Sequence, residues 1–271
     1  GWNAYGNVLT DLGKNTDAMA AFKKAISLNP NYCDAHSNLA DQYHRRSECD
    51  LAYLHSKKAV ELNPNRLENL VDHLTRLRRV CAFNELEARQ WFDIVDALPE
   101  RYGAFALLQL LTLADSPESQ ARLLAFQRRW GQAMALEASR QALPPLQRVV
   151  RRDGPLRIGF VSADFRDHSV ARFILPLFEQ LDRNAFALYG YSTFHRNDSF
   201  RQRFDQAAAA MQEVGHLSHR QLAEAVRLDE IDVLFDLTGF TASSRTRAFA
   251  YRAAPIQVAW LGYPGSTGLP Q

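Results

Sequence analysis

Leu156-Arg-Ile-Gly-Phe-Val-Ser162 decides how the second half of this chain folds. It is a short apolar run that ends in small residues, where the preceding sequence carried helical spacing. Similar runs follow at Phe186–Ser192, Met211–Val214, Ile231–Leu237 and Ile256–Trp260. Helical patterns lie between them, over about 170–182, 197–210, 218–229 and 244–251. Strands alternating with helices of ~10–15 residues predict right-handed βαβ units and a parallel sheet. Ligands of such sheets sit beyond the carboxyl ends of the strands. Three loops meet that description: Ala163–Ser169, Thr238–Ser243 and Leu261–Gly268. No Gly-x-Gly-x-x-Gly follows the first strand and no Walker A sequence occurs, so neither a dinucleotide nor a P-loop reading has support.

Upstream, the chain repeats itself. Asn29-Pro30-Asn31 recurs as Asn63-Pro64-Asn65, an offset of 34 that also aligns Ala25 with Ala59, Ile26 with Val60 and Gly6 with Ala40. A 34-residue period closed by Pro is the tetratricopeptide signature. Small residues at 6, 25, 40 and 59 let paired helices approach, and each Pro stops its helix. A third unit spans about 67–82, with Leu70, Leu74, Leu77 and Val80 on one face. The uncapped start at Trp2 leads us to expect a longer repeat array. The predicted domains are repeats over 1–82, a helical linker region over 83–153 and an α/β lobe over 154–271. The linker carries apolar stripes at Leu86–Leu98, Phe105–Leu113 and Leu123–Trp130, and a charged stretch at Arg148–Asp153.

Composition narrows the function classes. The 271 residues carry a formal charge of +2, with 18 Lys+Arg against 17 Asp+Glu up to residue 150 and 14 against 13 beyond it. Neither half forms the basic footprint of a nucleic-acid binder. No apolar run approaches the ~18–20 residues of a membrane span. No signal peptide is evident, and three widely spaced cysteines suit a reducing, cytoplasmic setting.

His168, in Asp164-Phe-Arg-Asp-His-Ser169, follows the first strand. It could be a general base, a donor that orients an acceptor, or a loop residue held by Asp164 or Asp167. Gly239, in Thr238-Gly-Phe-Thr241, permits close backbone approach or a plain strand-to-helix turn. Leu261–Gly268 has three glycines and two hydroxyl residues, which suits an anionic or sugar ligand. His216 and His219 lack further ligands at metal spacing, so no metal is expected. His36, His44, His55 and His73 are expected to face solvent. Ser243 and Ser244 are candidate caps for the following helix.

Arg157-Ile-Gly-Phe-Val-Ser-Ala-Asp-Phe165, His168-Ser-Val170, Leu237-Thr-Gly-Phe-Thr241 and Ala254-Pro-Ile-Gln-Val-Ala-Trp-Leu-Gly-Tyr-Pro-Gly-Ser-Thr-Gly268 resemble the O-linked N-acetylglucosamine transferase family and its Spindly-like branch, glycosyltransferase family 41. Arg79-Val-Cys-Ala-Phe83 resembles the family's repeat-to-catalytic junction. The resemblance implies a repeat superhelix followed by the first Rossmann-like lobe of a GT-B enzyme. Such an enzyme is inverting and metal-free. It uses no cofactor and moves a sugar from UDP-N-acetylglucosamine to Ser or Thr of a protein. It also implies His168 as the active-site histidine. Acceptor contacts are implied from Ser169, Thr238, Phe240, Tyr263, Gly265 and Thr267. Asn38 matches an inner-face asparagine that binds protein acceptors, whereas Ala4, one repeat earlier, does not. Ser169-Val170 and Phe240 depart from the animal pattern, which brings GDP-fucose in as an alternative donor. The main nucleotide-sugar contacts are expected from a second lobe beyond Gln271, so residues 1–271 alone are expected to be inactive. A repeat-based interaction scaffold with a silent lobe is the rival reading.

Overall fold

The computed structural model describes residues 1–82, 85, 110, 111, 114, 116–146, 154–241, 243–263 and 265–270. The expected stripe at Leu86–Leu98, most of that at Phe105–Leu113, the junction residue Phe83 and the stretch Arg148–Asp153 lie outside the described residues. The chain divides into two compact units, Gly1–Leu98 and Pro99–Gln271.

The first unit is helix on helix. Helices α1 (Trp2–Asp11), α2 (Asn15–Leu28), α3 (Cys33–Arg45), α4 (Cys49–Leu62) and α5 (Leu67–Arg79) follow one another through short turns. The period is visible in the backbone: Asn29 and Asn63 leave their helices with φ of −142° and −143°. Small residues sit where the helices touch. Ala18 and Ala52, one period apart, are fully buried, and a Cβ on Gly6 would stand 2.4 Å from the Phe22 ring.

The repeat histidines do not behave as expected. His36 and His73 are buried, and His44 and His55 are half-buried. For His36, His55 and His73 the reason is pairing across the seam, while the buried Nδ1 of His44 has no hydrogen-bond partner among the described residues. His36 Nε2 donates to the Pro30 carbonyl at 3.0 Å, which leaves its Nδ1 to accept from His55 Nδ1 at 3.0 Å. Burial, the His36 ring and Lys23 lower the pKa of His55 to about 4. His73 Nδ1 bonds Ser56 Oγ at 2.8 Å, and its Nε2 lies 3.2 Å from Glu85.

The second unit holds α6 (Pro117–Ser139), β1 (Leu156–Ser162), α7 (Ser169–Gln180), β2 (Phe186–Ser192), α8 (Ser199–Ala207), β3 (Ala210–Glu213), α9 (His219–Leu228), β4 (Val233–Asp236), α10 (Thr246–Phe249) and β5 (Ile256–Ala259). All strands are parallel, in the order β3-β2-β1-β4-β5. Side chains alternate across the pleat, so each strand feeds two cores. Phe160 and Leu188 pack under α7 and α8 with Ile174, Phe178 and Phe204. Val161, Tyr191 and Leu234 pack with Leu222 and Val226 of α9 and Phe249 of α10. Helices on both faces bury the strands, hence their near-continuous apolar sequence.

Helix α6 arises inside the stretch read as a linker. Ser116 starts it with a capping box to Ser119, and Pro117 stands at the first helical position. It belongs to the same unit as the sheet, which begins at residue 99.

Candidate active site

Strand order reverses between β1 and β4, so the chain leaves these neighbours towards opposite faces, and their carboxyl ends are where sheets of this kind take ligands. His168 stands on the β1 side as the N-cap of α7. Its Nδ1 accepts the Val170 amide hydrogen at 3.2 Å. Backbone N–H is always the donor, so a neutral His168 must carry its proton on Nε2. In that tautomer the exposed edge of the ring offers a hydrogen-bond donor and has no lone pair for a proton. Asp164 Oδ2 lies 3.5 Å from the same Nδ1. That is an ion-pair distance, useful only when Nδ1 carries a proton. Asp164 Oδ1 is held by Arg166 Nη2 at 3.1 Å, and the Arg166 guanidinium lies 5.5 Å over the exposed Phe194 ring beyond β2. Asp167 N–H donates to Asp198 Oδ2 at 2.8 Å, which ties the loop to the N-cap of α8.

The β4 side is built on a buried carboxylate. Asp236 Oδ1 accepts the amides of Thr238 and Gly239, both at 3.0 Å, and Oδ2 accepts the Thr246 hydroxyl at 2.9 Å. Burial raises the Asp236 pKa, opposed by these bonds to its charged form. The turn they shape puts Gly239 at φ +54°, where a Cβ would stand 2.3 Å from the Cβ of Tyr263. Tyr263 is the hub of the β5 loop. Its ring meets Phe240 edge-on at 4.6 Å, and its hydroxyl accepts from Gln127 Nε2 of α6 at 2.9 Å. Phe240 in turn packs edge-on against Trp130 of α6 at 4.6 Å.

The expected site residues therefore divide. Ser169 is exposed at the start of α7, and Gly265 and Thr267 are half-buried in the β5 loop. Phe240 and Tyr263 are only 2% and 5% exposed. Their rings pack on each other and on α6, where the Tyr263 hydroxyl also accepts from Gln127. Thr238 is buried as well, its Oγ1 without a partner, as is the Trp130 indole N–H. Ser244 Oγ accepts the first amide of α10, Thr246 N–H, at 3.4 Å and lies 3.2 Å from Thr246 Oγ1, although Arg245 holds the N-cap position and makes no side-chain cap itself. In the repeat unit, Asn38 Nδ2 donates to Asn3 Oδ1 at 3.0 Å and Asn7 Oδ1 at 2.9 Å. The amide row thus continues into α1 through Asn3 and Asn7, on either side of Ala4.

Sequence reasoning passed over Asp236, Gln127, Trp130 and Gly131. An Asp closing a strand before Thr-Gly is an Asx-turn signal. A glycine in the middle of a helix signals close packing. Trp130 closes the Leu123–Trp130 apolar stripe, which marks packing but no role in a site, and nothing in the sequence marks Gln127.

Residues 138–270 match the family model described as Glycosyl transferase family 41, and residues 6–47 match a TPR repeat model. The chain thus joins a repeat segment to a segment similar to glycosyltransferase family 41. A probable UDP-N-acetylglucosamine–peptide N-acetylglucosaminyltransferase of Arabidopsis thaliana, SPINDLY, is 36% identical over 120 residues, covering 43% of this chain and 13% of that protein. A second from the same plant, SEC, is 33% identical over 153 residues, covering 54% of this chain and 16% of its own length. A solved mutant of the Thermobaculum terrenum O-GlcNAc transferase superposes with a TM-score of 0.60 at 25% identity, covering 99% of this chain and 51% of that one. Residues 138–270, just under half of the chain, are thus similar to glycosyltransferase family 41, and the chain spans about half the length of that solved relative.

Proposed function

We propose that this chain is the acceptor side of a protein O-glycosyltransferase that moves N-acetylglucosamine from UDP-N-acetylglucosamine to Ser or Thr. The observation that carries the reading is the placing of His168, Ser169, Gly265 and Thr267 in loops at the carboxyl ends of a sheet whose residues match family 41. The acceptor hydroxyl attacks the anomeric carbon, the bond to the nucleotide diphosphate breaks, and the hydroxyl proton passes to a base. His168 in its capped tautomer donates from Nε2 and so orients the acceptor or the leaving oxygen. To act as base it must first give up the Val170 cap and turn Nδ1–H to Asp164. The repeats bind protein acceptors, with the Asn3–Asn7–Asn38 amide row as one contact. A cytoplasmic setting fits the cysteine usage, and no described helix is long and apolar enough to cross a membrane.

GDP-fucose is the second donor to weigh, because Ser169-Val170 follows His168 as in the Spindly-like branch. The test is to incubate the complete gene product with protein acceptors and either donor, then read the acceptors by mass spectrometry. Hexosamine addition from UDP-N-acetylglucosamine alone is expected. Fucose addition alone would replace the donor, and no addition from either would favour the scaffold reading.

A further inference from the structure

Helix α6 meets the loop beyond β5 backbone to backbone. A Cβ on Gly131 would stand 1.9 Å from the Gly268 carbonyl oxygen. A Cβ on Gly268, which has φ of +71°, would stand 1.7 Å from the Gln127 carbonyl oxygen. No side chain fits at either place. Beside this contact the Gln127 amide, 3% exposed, holds the Tyr263 hydroxyl. Tyr263 then limits Gly265, whose Cβ would lie 2.7 Å from its ring, and Gly239 in the β4 loop. The contacts of α6 described here reach residues beyond β4 and β5 (Phe240, Tyr263, Gly268, and Arg247 through Glu137).

We propose that Gln127 and Gly131 are positioning residues: α6 is the template that fixes the 261–268 loop in the shape that receives the acceptor. The claim rests on the acceptor-side reading above, but its first readout does not. The flush glycine pair sets how far the loop sits from the helix. The amide-to-hydroxyl bond sets its rotation through Tyr263. Tyr263 and Gly268, held at these two points, are set before any acceptor arrives. Transfer rates are sensitive to that placement, since a misplacement of ~1 Å can cost about a hundredfold.

The experiment compares Gly131→Ala, Gln127→Ala, Tyr263→Phe and the Gln127→Ala/Tyr263→Phe double variant. Hydrogen exchange is measured in residues 1–271, and acceptor kinetics in the complete gene product. Gly131→Ala should speed exchange of the 262–268 amides by about tenfold or more, with β1 and β4 unchanged. Acceptor kcat/KM should fall about tenfold to a hundredfold, with the donor KM held. Gln127→Ala and Tyr263→Phe should each give a smaller loss, and the double variant should lose no more than the larger single one. If Gly131→Ala fails to fold, these milder variants carry the test alone. Unchanged loop exchange overturns the proposal, as does exchange that rises equally in β1 and β4. A loosened loop in an enzyme that transfers no sugar supports the template and overturns the functional reading.

Discussion

The two units bury their polar groups in opposite ways. In the repeats, partners come from helices one or two along the chain, at short, recurring separations: His36 with His55, Ser56 with His73, Gln42 with Thr10, Asn38 with Asn3 and Asn7. In the α/β unit, His168 and Asp236 hold their own loops locally, but one bond reaches far along the chain to tie the site together: Gln127 meets Tyr263 across 136 residues. Glycine shows the same contrast. Gly6 makes room for one ring, whereas Gly131 and Gly268 bring two backbones together. A repeat seam is a local solution used again. The site is a single, long-range solution, so changes in it should cost function before they cost fold.

The sharpest way to break that contrast is His168→Asn. Asparagine is a good N-cap, so α7 keeps its first-turn bond while the imidazole goes. Acceptor kcat/KM of the complete enzyme should fall about 10²–10⁴-fold, the range for a lost acid–base or orienting group. The melting temperature should stay within about two degrees, as expected where the stability change is small. Normal activity, or an equal loss of stability, returns His168 to a structural cap.

Gly6→Ala tests the opposite case in the repeats. Helix propensity favours alanine by up to ~1 kcal/mol. The new methyl would stand 2.4 Å from the Phe22 ring, and overpacking of this kind costs about 1–3 kcal/mol. The clash should win, lowering the melting temperature of the repeat unit. Hydrogen exchange in β1 should not change. A stabilised variant would show that the α1–α2 seam yields.

Acid sharpens the comparison further, because two repeat residues oppose each other. His55 has a pKa of about 4 in the folded state against 6.5 for the free side chain, so its contribution is complete above about 6.5 and is lost as pH falls towards 4. Asp72 is raised from 3.8 to about 6, by burial and then despite Arg76, so its charge is a cost at neutral pH that disappears as pH falls from 6 to 3.8. Asp72→Asn should therefore raise the melting temperature at pH 7. The gain should vanish near pH 4, and the acid decline should become steeper than in the wild type. Parallel pH profiles would contradict the Asp72 assignment.

The smallest effect belongs to Asn38→Ala. Losing one peptide contact of about 0.5–1 kcal/mol should weaken acceptor binding only a few-fold. Because neither half of the chain is strongly charged, that binding should respond weakly to salt. Titration of a protein acceptor at low and high salt checks both points.

How much of this was legible follows the same division. The 34-residue period announced α1–α5, and apolar runs placed the strands within about two residues. β3 begins at Ala210 rather than Met211, and β4 is the inner part of Ile231–Leu237. The three loops could be chosen because parallel sheets present ligands at one end. What stayed hidden has no local signature. The buried repeat histidines look like surface residues until each finds a partner on the next helix. Phe240 and Tyr263 look like exposed contact residues because the helix that covers them lies more than a hundred residues upstream. The α6 stretch shows an apolar stripe and one mid-helix glycine, which say that it packs, but not on what.

The most direct measurement is photo-crosslinking of an acceptor peptide carrying a photoreactive side chain next to its Ser or Thr, with the sites mapped by mass spectrometry. Crosslinks should fall in Ala163–Ser169 and Leu261–Gly268, and His168→Asn should change their yield without moving them. Crosslinks confined to the opposite end of the sheet, around Leu156 and Ile256, would contradict the assignment of the carboxyl-end loops as the acceptor side.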